Sequence, residues 1–326
     1  MRTSQRILVI KQGALGDVIM ATALIEAILA RHTGDEVHLL TAPAFAGLFA
    51  AWPRLHVSSF PRQGLYASWA TLRWVRQQRF HRVYDLQGND RSGVLCALSG
   101  IPERIGNAPR FPYNLHPAGR WQGETHVFER MVEILRVAGV TEVPARPVLR
   151  CTPAEQEGVA AFLAEHALAE GSFAVLHAGA SPAHPEKRWP GFGGLAPLLR
   201  ARGLRLVWLG GPDDAEQNRR LAGVEDLDAT GRFSIPQLAA LAGRARLAVT
   251  NDSGPMHACA AAGIPVFALF GPSDWRRNHA LGQASNVIAG VELLPDLAGR
   301  RTADCLARIT PQMVLERLAA HGLVQE

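Results

Sequence analysis

The chain alternates short apolar runs with stretches in which apolar residues recur at helical spacing. A β-branched run at 6–10 is followed by a glycine-containing loop and by a segment, 17–29, whose apolar positions recur every three to four residues. This pattern predicts a strand, a turn and a helix. Further strands are predicted at 37–40 and 83–86, with helical stretches between them. The first half is therefore expected to be an α/β unit around a mostly parallel sheet.

A second α/β series follows a proline-punctuated segment at 144–153, which is typical of an interdomain linker. Its strands are predicted at 173–177, 204–209, 247–250 and 265–270. Loops rich in Gly, Asn, Asp or Ser follow them, and open α/β sheets bind ligands at the carboxyl ends of their strands. We predict two Rossmann-like domains, 1–150 and 151–326, that face each other across a central cleft. The last helix is expected to pack either on its own domain or back on the first domain.

Composition narrows the class of protein. With 326 residues, 48% hydrophobic and 19% charged, the chain is an ordinary globular protein rather than a disordered or collagen-like one. Its four cysteines are far apart in the sequence, and no two of them form a C-x-x-C pair. This spacing indicates neither a disulfide framework nor a structural zinc site. No stretch approaches the length of a membrane span and no signal-peptide pattern is present, so we expect a cytoplasmic protein.

The charge is divided unevenly between the two halves. Residues 1–150 contain 18 Lys and Arg against 11 Asp and Glu, residues 151–326 contain 16 against 18, and the whole chain carries +5. A basic half indicates an anionic partner such as nucleic acid, a phosphorylated glycolipid or a membrane surface, although solvated basic faces would give the same count. Of the 34 basic residues, two are lysines, Lys11 and Lys187.

The loop after the first predicted strand, Lys11-Gln-Gly-Ala-Leu-Gly-Asp17, takes the place of the glycine-rich turn of dinucleotide-binding proteins. Its glycines are spaced G-x-x-G, and the second strand ends in Thr41-Ala42 without an acidic residue. Both departures argue against an NAD-dependent dehydrogenase, and the lack of Gly-Lys-Ser/Thr argues against a P-loop. Asp17 remains in the first turn of a helix, where it either complements the helix terminus or acts as a base toward an acceptor hydroxyl.

Two loops of the second half join a glycine turn to charged side chains. His177-Ala-Gly-Ala-Ser181 leads to Lys187, and backbone N–H groups beside a hydroxyl and a lysine suit a phosphate. The alternative is a surface lysine next to a core tryptophan. The following strand ends in Gly210-Gly211 and leads to Glu216, which is either an acceptor for ribose hydroxyls or an ordinary acid in a first helical turn.

The segment from Thr250 to Gly263 carries the strongest pattern. Asp252, Ser253 and Gly254 open a predicted helix, so its N–H groups and dipole favour an anion, while Asp252 suits sugar hydroxyls. His257 lies one turn inside that helix. Capping alone explains Asp252-Ser253 and a single histidine is often structural, but the combination exceeds what capping requires.

Taken together, these segments resemble glycosyltransferase family 9, the lipopolysaccharide heptosyltransferases. They follow the family's order from about position 6 to position 275. The matching pieces are Lys11 to Asp17, Asp85-Leu-Gln-Gly-Asn89 with Arg91-Ser92, Lys187-Arg-Trp-Pro190, Gly210-Gly211 with Glu216, and Asp252-Ser-Gly254 through His257 to Phe270-Gly-Pro-Ser273. After Gly271 the chain reads Pro-Ser-Asp-Trp-Arg-Arg where the family usually has Pro-Thr-x-Pro.

The resemblance implies a GT-B fold, an ADP-sugar held mainly by the second domain, and inversion at the anomeric carbon without a metal or other cofactor. It makes Asp17 the catalytic base and places Lys187 and Ser181 at the diphosphate. The other donor contacts that it implies are Gly16, Glu216 at the ribose, Phe233 at the adenine, and Asp252, Ser253, Gly254 and His257 in the loop shared by sugar and phosphate.

The basic residues of the first half gain a role from the same resemblance. Arg73, Arg76, Arg79 and Arg82 alternate with aromatic residues and predict a basic amphipathic helix. We expect anionic acceptor groups, or the anionic membrane surface, to be bound by Lys11, Arg73, Arg76, Arg104, Arg110 and Arg120.

The leading interpretation is a transferase, peripheral to the inner face of the cytoplasmic membrane, that moves a sugar from ADP to a lipid-linked lipopolysaccharide-core acceptor. The sugar expected is L-glycero-D-manno-heptose. A GT-B epimerase or hydrolase that uses a nucleotide sugar without a saccharide acceptor is an alternative. A nucleic-acid-binding module is the other alternative, motivated by the basic charge, but no nucleic-acid-binding motif accompanies it.

Overall fold

The first apolar run forms the central strand of a parallel sheet, and the chain divides into two units, 1–150 and 151–326. The computed structural model describes residues 4–62, 64–119, 123–292 and 304–325. Each unit has its own sheet, and the two are described separately. Among these residues no helix has the length and apolar character needed to cross a membrane.

The sheet of the first unit has five parallel strands in the order β3-β2-β1-β4-β5, the order of the first five strands of the Rossmann fold. The strands are β1 (Arg6–Ile10), β2 (Glu36–Thr41), β3 (Leu55–Ser59), β4 (Arg82–Asp85) and β5 (Glu103–Ile105). Ile10 is paired with Leu40 on one side and with Asp85 on the other. The loop that follows β1 therefore begins beside the carboxyl end of β4.

Among the described residues of this unit, three α-helices connect strands of the sheet and a fourth follows β5. They are α1 (Leu15–Arg31), α2 (Leu65–Gln78), α3 (Asp90–Ser99) and α4 (Val127–Val137), and a 3-10 helix spans Pro43–Phe49. Helix α1 is buried over most of its length and packs against α4. The end of the unit is held to α1, because the Val148 N–H donates to Thr22 Oγ1 and Arg150 pairs with Glu26 at 2.7 Å.

The second unit contains a six-stranded parallel sheet in the order β11-β10-β9-β6-β7-β8. Its strands are β6 (Phe173–His177), β7 (Arg205–Trp208), β8 (Leu227–Asp228), β9 (Leu247–Asn251), β10 (Val266–Phe270) and β11 (Val287–Ala289). Every residue of β6, β9 and β10 is buried, as expected for central parallel strands covered on both faces.

In the described part of this unit, the helices are α5 (Pro153–Glu165), α6 (Phe192–Arg200), α7 (Ala215–Leu221), α8 (Ile235–Ala242), α9 (Gly254–Ala261), α10 (Trp275–Asn278), α11 (Asp304–Ala307) and α12 (Pro311–Ala320). Short 3-10 helices lie at Pro185–Lys187, Pro212–Asp214 and Ala284–Asn286. The last helix, α12, packs on α6, and its residues Val314, Leu315 and Leu318 belong to the core of this unit.

The α/β class and the central strands agree with the expectations from the sequence. The basic helix is shorter than expected, because α2 ends at Gln78 and Arg79 adopts a left-handed conformation with φ of 51°. Arg82 instead belongs to β4, where its guanidinium makes a two-point ion pair with Glu103 at 2.7 and 2.8 Å. The pattern of basic residues thus crosses the boundary between a helix and a strand.

Candidate active site

Asp17 lies at the carboxyl edge of the first sheet, in the first turn of α1. Gly13 has φ of +141°, a conformation that side chains rarely adopt, and it turns the chain from β1 into the helix. The N-cap, Ala14, makes no side-chain capping hydrogen bond. The Asp17 carboxylate is about one-third exposed and lies 3.6 Å from Lys11 Nζ. Its accessibility leaves it able to contact a ligand.

Lys11 lies beneath Asp17 and is almost completely buried, with 2% of its surface exposed. Its ammonium donates to the Leu86 carbonyl at 3.2 Å, which ties the end of β1 to the end of β4. Burial lowers the pKa of Lys11, and the neighbouring carboxylates of Asp17 and Asp85 oppose that change. Lys11 therefore supports Asp17 from inside the unit.

Asp85 is a second carboxylate at this edge, and it has no exposed surface. Its oxygens accept the backbone N–H groups of Gln87 and Gly88, each at 3.0 Å, and the Tyr113 hydroxyl at 2.5 Å. Burial raises the pKa of Asp85 and that of the Tyr113 hydroxyl. These contacts make Asp85 an anchor for two loops, whereas Asp17 is accessible.

In the second unit, three loops bring polar side chains together. Lys187, from the short helix after β6, places Nζ 2.7 Å from Oδ2 of Asp252, which follows β9. Ser273, which follows β10, donates to the same oxygen at 2.5 Å. Because β6, β9 and β10 are neighbours in the sheet, their carboxyl ends form one polar cluster. This Lys187–Asp252–Ser273 cluster offers a cation, a carboxylate and a hydroxyl.

His177 is the last residue of β6 and contacts Ser253, the residue after Asp252. Its Nδ1 lies 3.1 Å from Ser253 Oγ, and its Nε2 lies 3.8 Å from Asp214. Burial, together with the nearby Arg188 charge, lowers the pKa of His177 to about 4. The imidazole is therefore neutral near pH 7. Arg188 also pairs with Asp214 at 3.1 Å, and burial raises the pKa of that carboxyl.

Asn251 fixes the loop that follows β6. Its amide donates to the carbonyls of Ala178 and Gly179 at 2.7 and 3.1 Å, and its oxygen accepts the Trp189 N–H at 3.1 Å. A Cβ at Gly179 would lie 2.3 Å from the Asp214 carboxylate, so the loop has space for glycine alone. The backbone beside Ser181 and Lys187 is thus held on both sides.

The remaining donor residues predicted from the sequence occupy separate positions. Glu216 is exposed and pairs with Arg219 and Arg220 of its own helix, at 3.0 and 2.6 Å. Phe233 packs edge-on against Phe162 of α5, with ring centres 5.2 Å apart. Gly16 lies in α1 and Ser181 is exposed. Ser253 is the N-cap residue of α9 but makes no side-chain capping hydrogen bond, Gly254 begins that helix, and His257 is buried within it.

The predicted acceptor arginines differ in how far their guanidinium groups are engaged. Arg104 donates to the carbonyls of Ile101 and Pro112, and Arg76 donates to that of Leu98 at 2.9 Å. Arg73 lies 5.5 Å from the centre of the Trp69 ring, and Arg110 is exposed. Arg120 lies outside the described residues.

Several residues of these clusters were not assigned a role from the sequence. They are His177, Asp214 and Ser273 in and around the Lys187–Asp252–Ser273 cluster, and Asp85 with Tyr113 in the first unit. Polar residues just after buried strands are a signal that could have identified most of them. Within the described part of the chain, no group of three or more His, Cys, Asp or Glu is arranged to hold a metal ion.

Comparison with known proteins agrees with this architecture. The family model described as glycosyltransferase family 9 (heptosyltransferase) matches residues 68–304. Lipopolysaccharide heptosyltransferase 2 of Escherichia coli K12 is 26% identical over 98% of this chain and 99% of its own length.

Solved structures give the same result. A glycosyl transferase family 9 protein from Veillonella parvula superposes with a TM-score of 0.80 at 22% identity, over 97% of this chain and 96% of that one. E. coli ADP-heptose LPS heptosyltransferase II superposes with a TM-score of 0.74 at 25% identity, over 97% and 98% of the two chains. With the family model matching more than half of its length, this two-unit α/β chain belongs to glycosyltransferase family 9, the heptosyltransferase family.

Proposed function

We propose that the chain transfers L-glycero-D-manno-heptose from its ADP carrier to a saccharide of the lipopolysaccharide core, with inversion at the anomeric carbon. The family supports a sugar transfer, and the E. coli relative named for lipopolysaccharide matches over nearly its whole length. The observation that carries the mechanism is the Lys187–Asp252–Ser273 cluster at the carboxyl edge of the second sheet, beside the N-terminus of α9.

On the donor side, the leaving group is the diphosphate of ADP. As the bond between the anomeric carbon and the phosphate oxygen breaks, its electron pair and the negative charge go to that oxygen. The Lys187 ammonium and the first N–H groups of α9 would stabilise this charge, because the ammonium is a cation and the N-terminus of a helix is the positive end of its dipole. Asp252 and Ser273 would bind sugar hydroxyls, while Ser181, Ser253, Gly254 and His257 complete the site.

On the acceptor side, Asp17 would take the proton of the attacking hydroxyl, while the oxygen of that hydroxyl forms the new bond to the anomeric carbon. Lys11 acts as a positioning residue, since its buried ammonium lies 3.6 Å from the Asp17 carboxylate. The proposal needs no metal, because lysine and helix N-terminus supply the positive charge. Activity that persists in excess EDTA would support this part of the proposal, and activity restored only by an added metal would refute it.

The remaining assignments concern the other donor contacts, the acceptor and the cellular location. Glu216 and Phe233 would contact the ribose and adenine, and Gly16 would lie at the donor sugar. The acceptor would be an anionic, lipid-linked saccharide bound by the arginines of the first unit, at the cytoplasmic face of the inner membrane. The net charge of that unit supports an anionic acceptor.

The decisive experiment replaces the proposed base. We expect Asp17→Asn to reduce transfer from ADP-heptose roughly 1000-fold. The variant loses general-base catalysis and the positioning of the acceptor hydroxyl against the base. Its affinity for ADP should stay within about twofold of that of the original protein, since Asp17 is assigned to the acceptor. Asp90→Asn is the matched control, because Asp90 lies in the first turn of another helix of the same unit and is exposed.

Two outcomes would contradict the proposal. Asp17→Asn and Asp90→Asn variants that are equally active would remove Asp17 as the base. Rapid release of the sugar from ADP-heptose without any saccharide acceptor would replace the transferase by a hydrolase or epimerase.

A further inference from the structure

Helices α2 and α3 of the first unit, together with Phe111 in the loop after β5, present a group of exposed apolar side chains. We call it the α2–α3 face, formed by Leu65 (92% exposed), Tyr66 (82%), Trp69 (57%), Val94 (58%), Leu98 (48%) and Phe111 (75%). Seven large apolar side chains are exposed among the described residues, and six of them lie here. Single exposed apolar residues are ordinary on a protein surface, whereas such a cluster indicates a binding surface.

The members of this face are neighbours in space. Trp69, Val94 and Leu98 line one cleft of about 420 Å³ between the two helices. Val94 and Phe111 line a second cleft on the other side of α3. Leu65 and Tyr66 precede Trp69 by four and three positions on α2, which places all three on neighbouring positions of that helix. Helix α2 packs against the unit through other residues, the buried Thr71 and Val75 and the partly buried Trp74.

The surroundings of the α2–α3 face are strongly basic. From Val37 to Tyr84 the sequence contains six arginines and no Asp or Glu. Arg62 and Arg91 line the cleft between the helices, where Asp90 is the acidic residue, and Arg73 lies over the Trp69 ring. The apolar side chains are therefore surrounded by positive charge, which selects an anionic partner.

We propose that the α2–α3 face docks on the surface of an anionic phospholipid bilayer. Tryptophan and tyrosine favour the boundary between headgroups and acyl chains, where leucine can insert and arginines bind phosphates. Leu65, Tyr66 and Trp69 enter this boundary, and the flanking arginines contact the headgroups. This inference rests on the membrane location given in the proposed function and assigns it to a particular surface. The docking can be measured without either substrate, so it is tested separately from the transfer reaction.

The test is co-sedimentation of the full chain with vesicles. We expect binding to vesicles of phosphatidylcholine with phosphatidylglycerol, at least tenfold weaker binding to phosphatidylcholine alone, and weakening as salt is raised. The variant Leu65→Ser/Tyr66→Ser/Trp69→Ser should bind the anionic vesicles at least tenfold more weakly. Val224→Ser is the matched control, because Val224 is fully exposed in the second unit, and it should bind like the original protein.

A second measurement keeps the test independent of folding. Brominated lipids should quench tryptophan fluorescence in the original protein, and Trp69→Phe should remove most of that quenching while leaving thermal unfolding unchanged. Two results would overturn the proposal. One is vesicle binding that the triple variant retains in full. The other is a self-association in sedimentation that the triple variant abolishes without any vesicle binding by the original protein, which would make a second copy of the chain the occupant.

Discussion

Lys187 has a carboxylate partner before any ligand is present. Its ammonium is 2.7 Å from Asp252, whose side chain is 8% exposed. In the proposed donor site, the diphosphate would share this ammonium with Asp252. We expect Lys187→Met, which keeps the length of the side chain and removes its charge, to weaken ADP binding about 10- to 100-fold, the range of a hydrogen bond to a charged group.

Isothermal titration with ADP measures this effect. Lys187→Arg is the control, because it keeps the charge and should lose less affinity than Lys187→Met. Equal ADP affinities for Lys187→Met and the original protein would remove Lys187 from the diphosphate site.

His177 makes the stability of the protein dependent on pH. Burial lowers its pKa to about 4 in the folded state, whereas the unfolded chain has the ordinary value of 6.5. Between these values the unfolded chain binds the extra proton, so the free energy of unfolding falls as the pH is lowered from 6.5 toward 4. The difference of the two pKa values corresponds to about 3 kcal/mol at the acid end.

Urea unfolding at several pH values, compared between the original protein and His177→Gln, isolates this contribution. Asp214, whose pKa burial raises, is present in both proteins, so its own titration largely cancels in the comparison. The original protein should lose more stability than the variant as the pH falls. Parallel curves would show that His177 does not titrate in this range.

At the scale of elements, a buried hydrogen bond helps to hold the loop after β5 to the end of β4. Tyr113 donates to Asp85 at 2.5 Å, and both residues are buried. Tyr113→Phe leaves one Asp85 oxygen without this donor, and we expect the free energy of unfolding to fall by about 1–3 kcal/mol. Tyr66→Phe is the matched control, since its hydroxyl is largely exposed, and it should change stability by less than about 0.5 kcal/mol.

Chemical denaturation of the two variants decides between these expectations. A Tyr113→Phe protein as stable as Tyr66→Phe would mean that the remaining donors satisfy Asp85 without the Tyr113 hydroxyl.

The sequence predicted the strands that lie at the centre of each sheet and missed those nearer the edges. Strand β3 has one buried residue, and β8 has two residues in all, so neither carries the apolar run that identifies β6 or β10. A short strand at an edge depends on its neighbour for hydrogen bonds more than on its own apolar surface. Its position is therefore a property of the sheet as a whole.

The candidate sites were predictable to a similar extent. The residues after β1, β6 and β9 were identified because their motifs are continuous in the sequence. The contact of Lys187 with Asp252 joins positions 65 residues apart, and that of His177 with Ser253 joins positions 76 apart. Such pairs follow from strand order, since β6 and β9 are adjacent in the sheet, and the sequence does not state that order.

At the scale of the whole molecule, two units with separate sheets allow a ligand to stabilise one of them selectively. We expect ADP to slow hydrogen exchange in peptides from 173–192 and 247–273, because binding to the native state suppresses its local opening. Peptides of β1, β2 and β4 in the first unit should exchange at unchanged rates. Mass spectrometry with and without ADP measures both groups, and protection confined to the first unit would contradict the assignment of the donor site.

The scarcity of lysine has a practical consequence. Lys11 is sealed inside the first unit, with 2% of its surface exposed, whereas the Lys187 side chain is 23% exposed at the proposed diphosphate site. An amine-directed reagent therefore meets, besides the chain terminus, one accessible lysine. Acylation of this protein becomes site-selective without any engineered residue. Under the proposed assignment of Lys187 to the diphosphate, labelling at position 187 should fall as ADP is added.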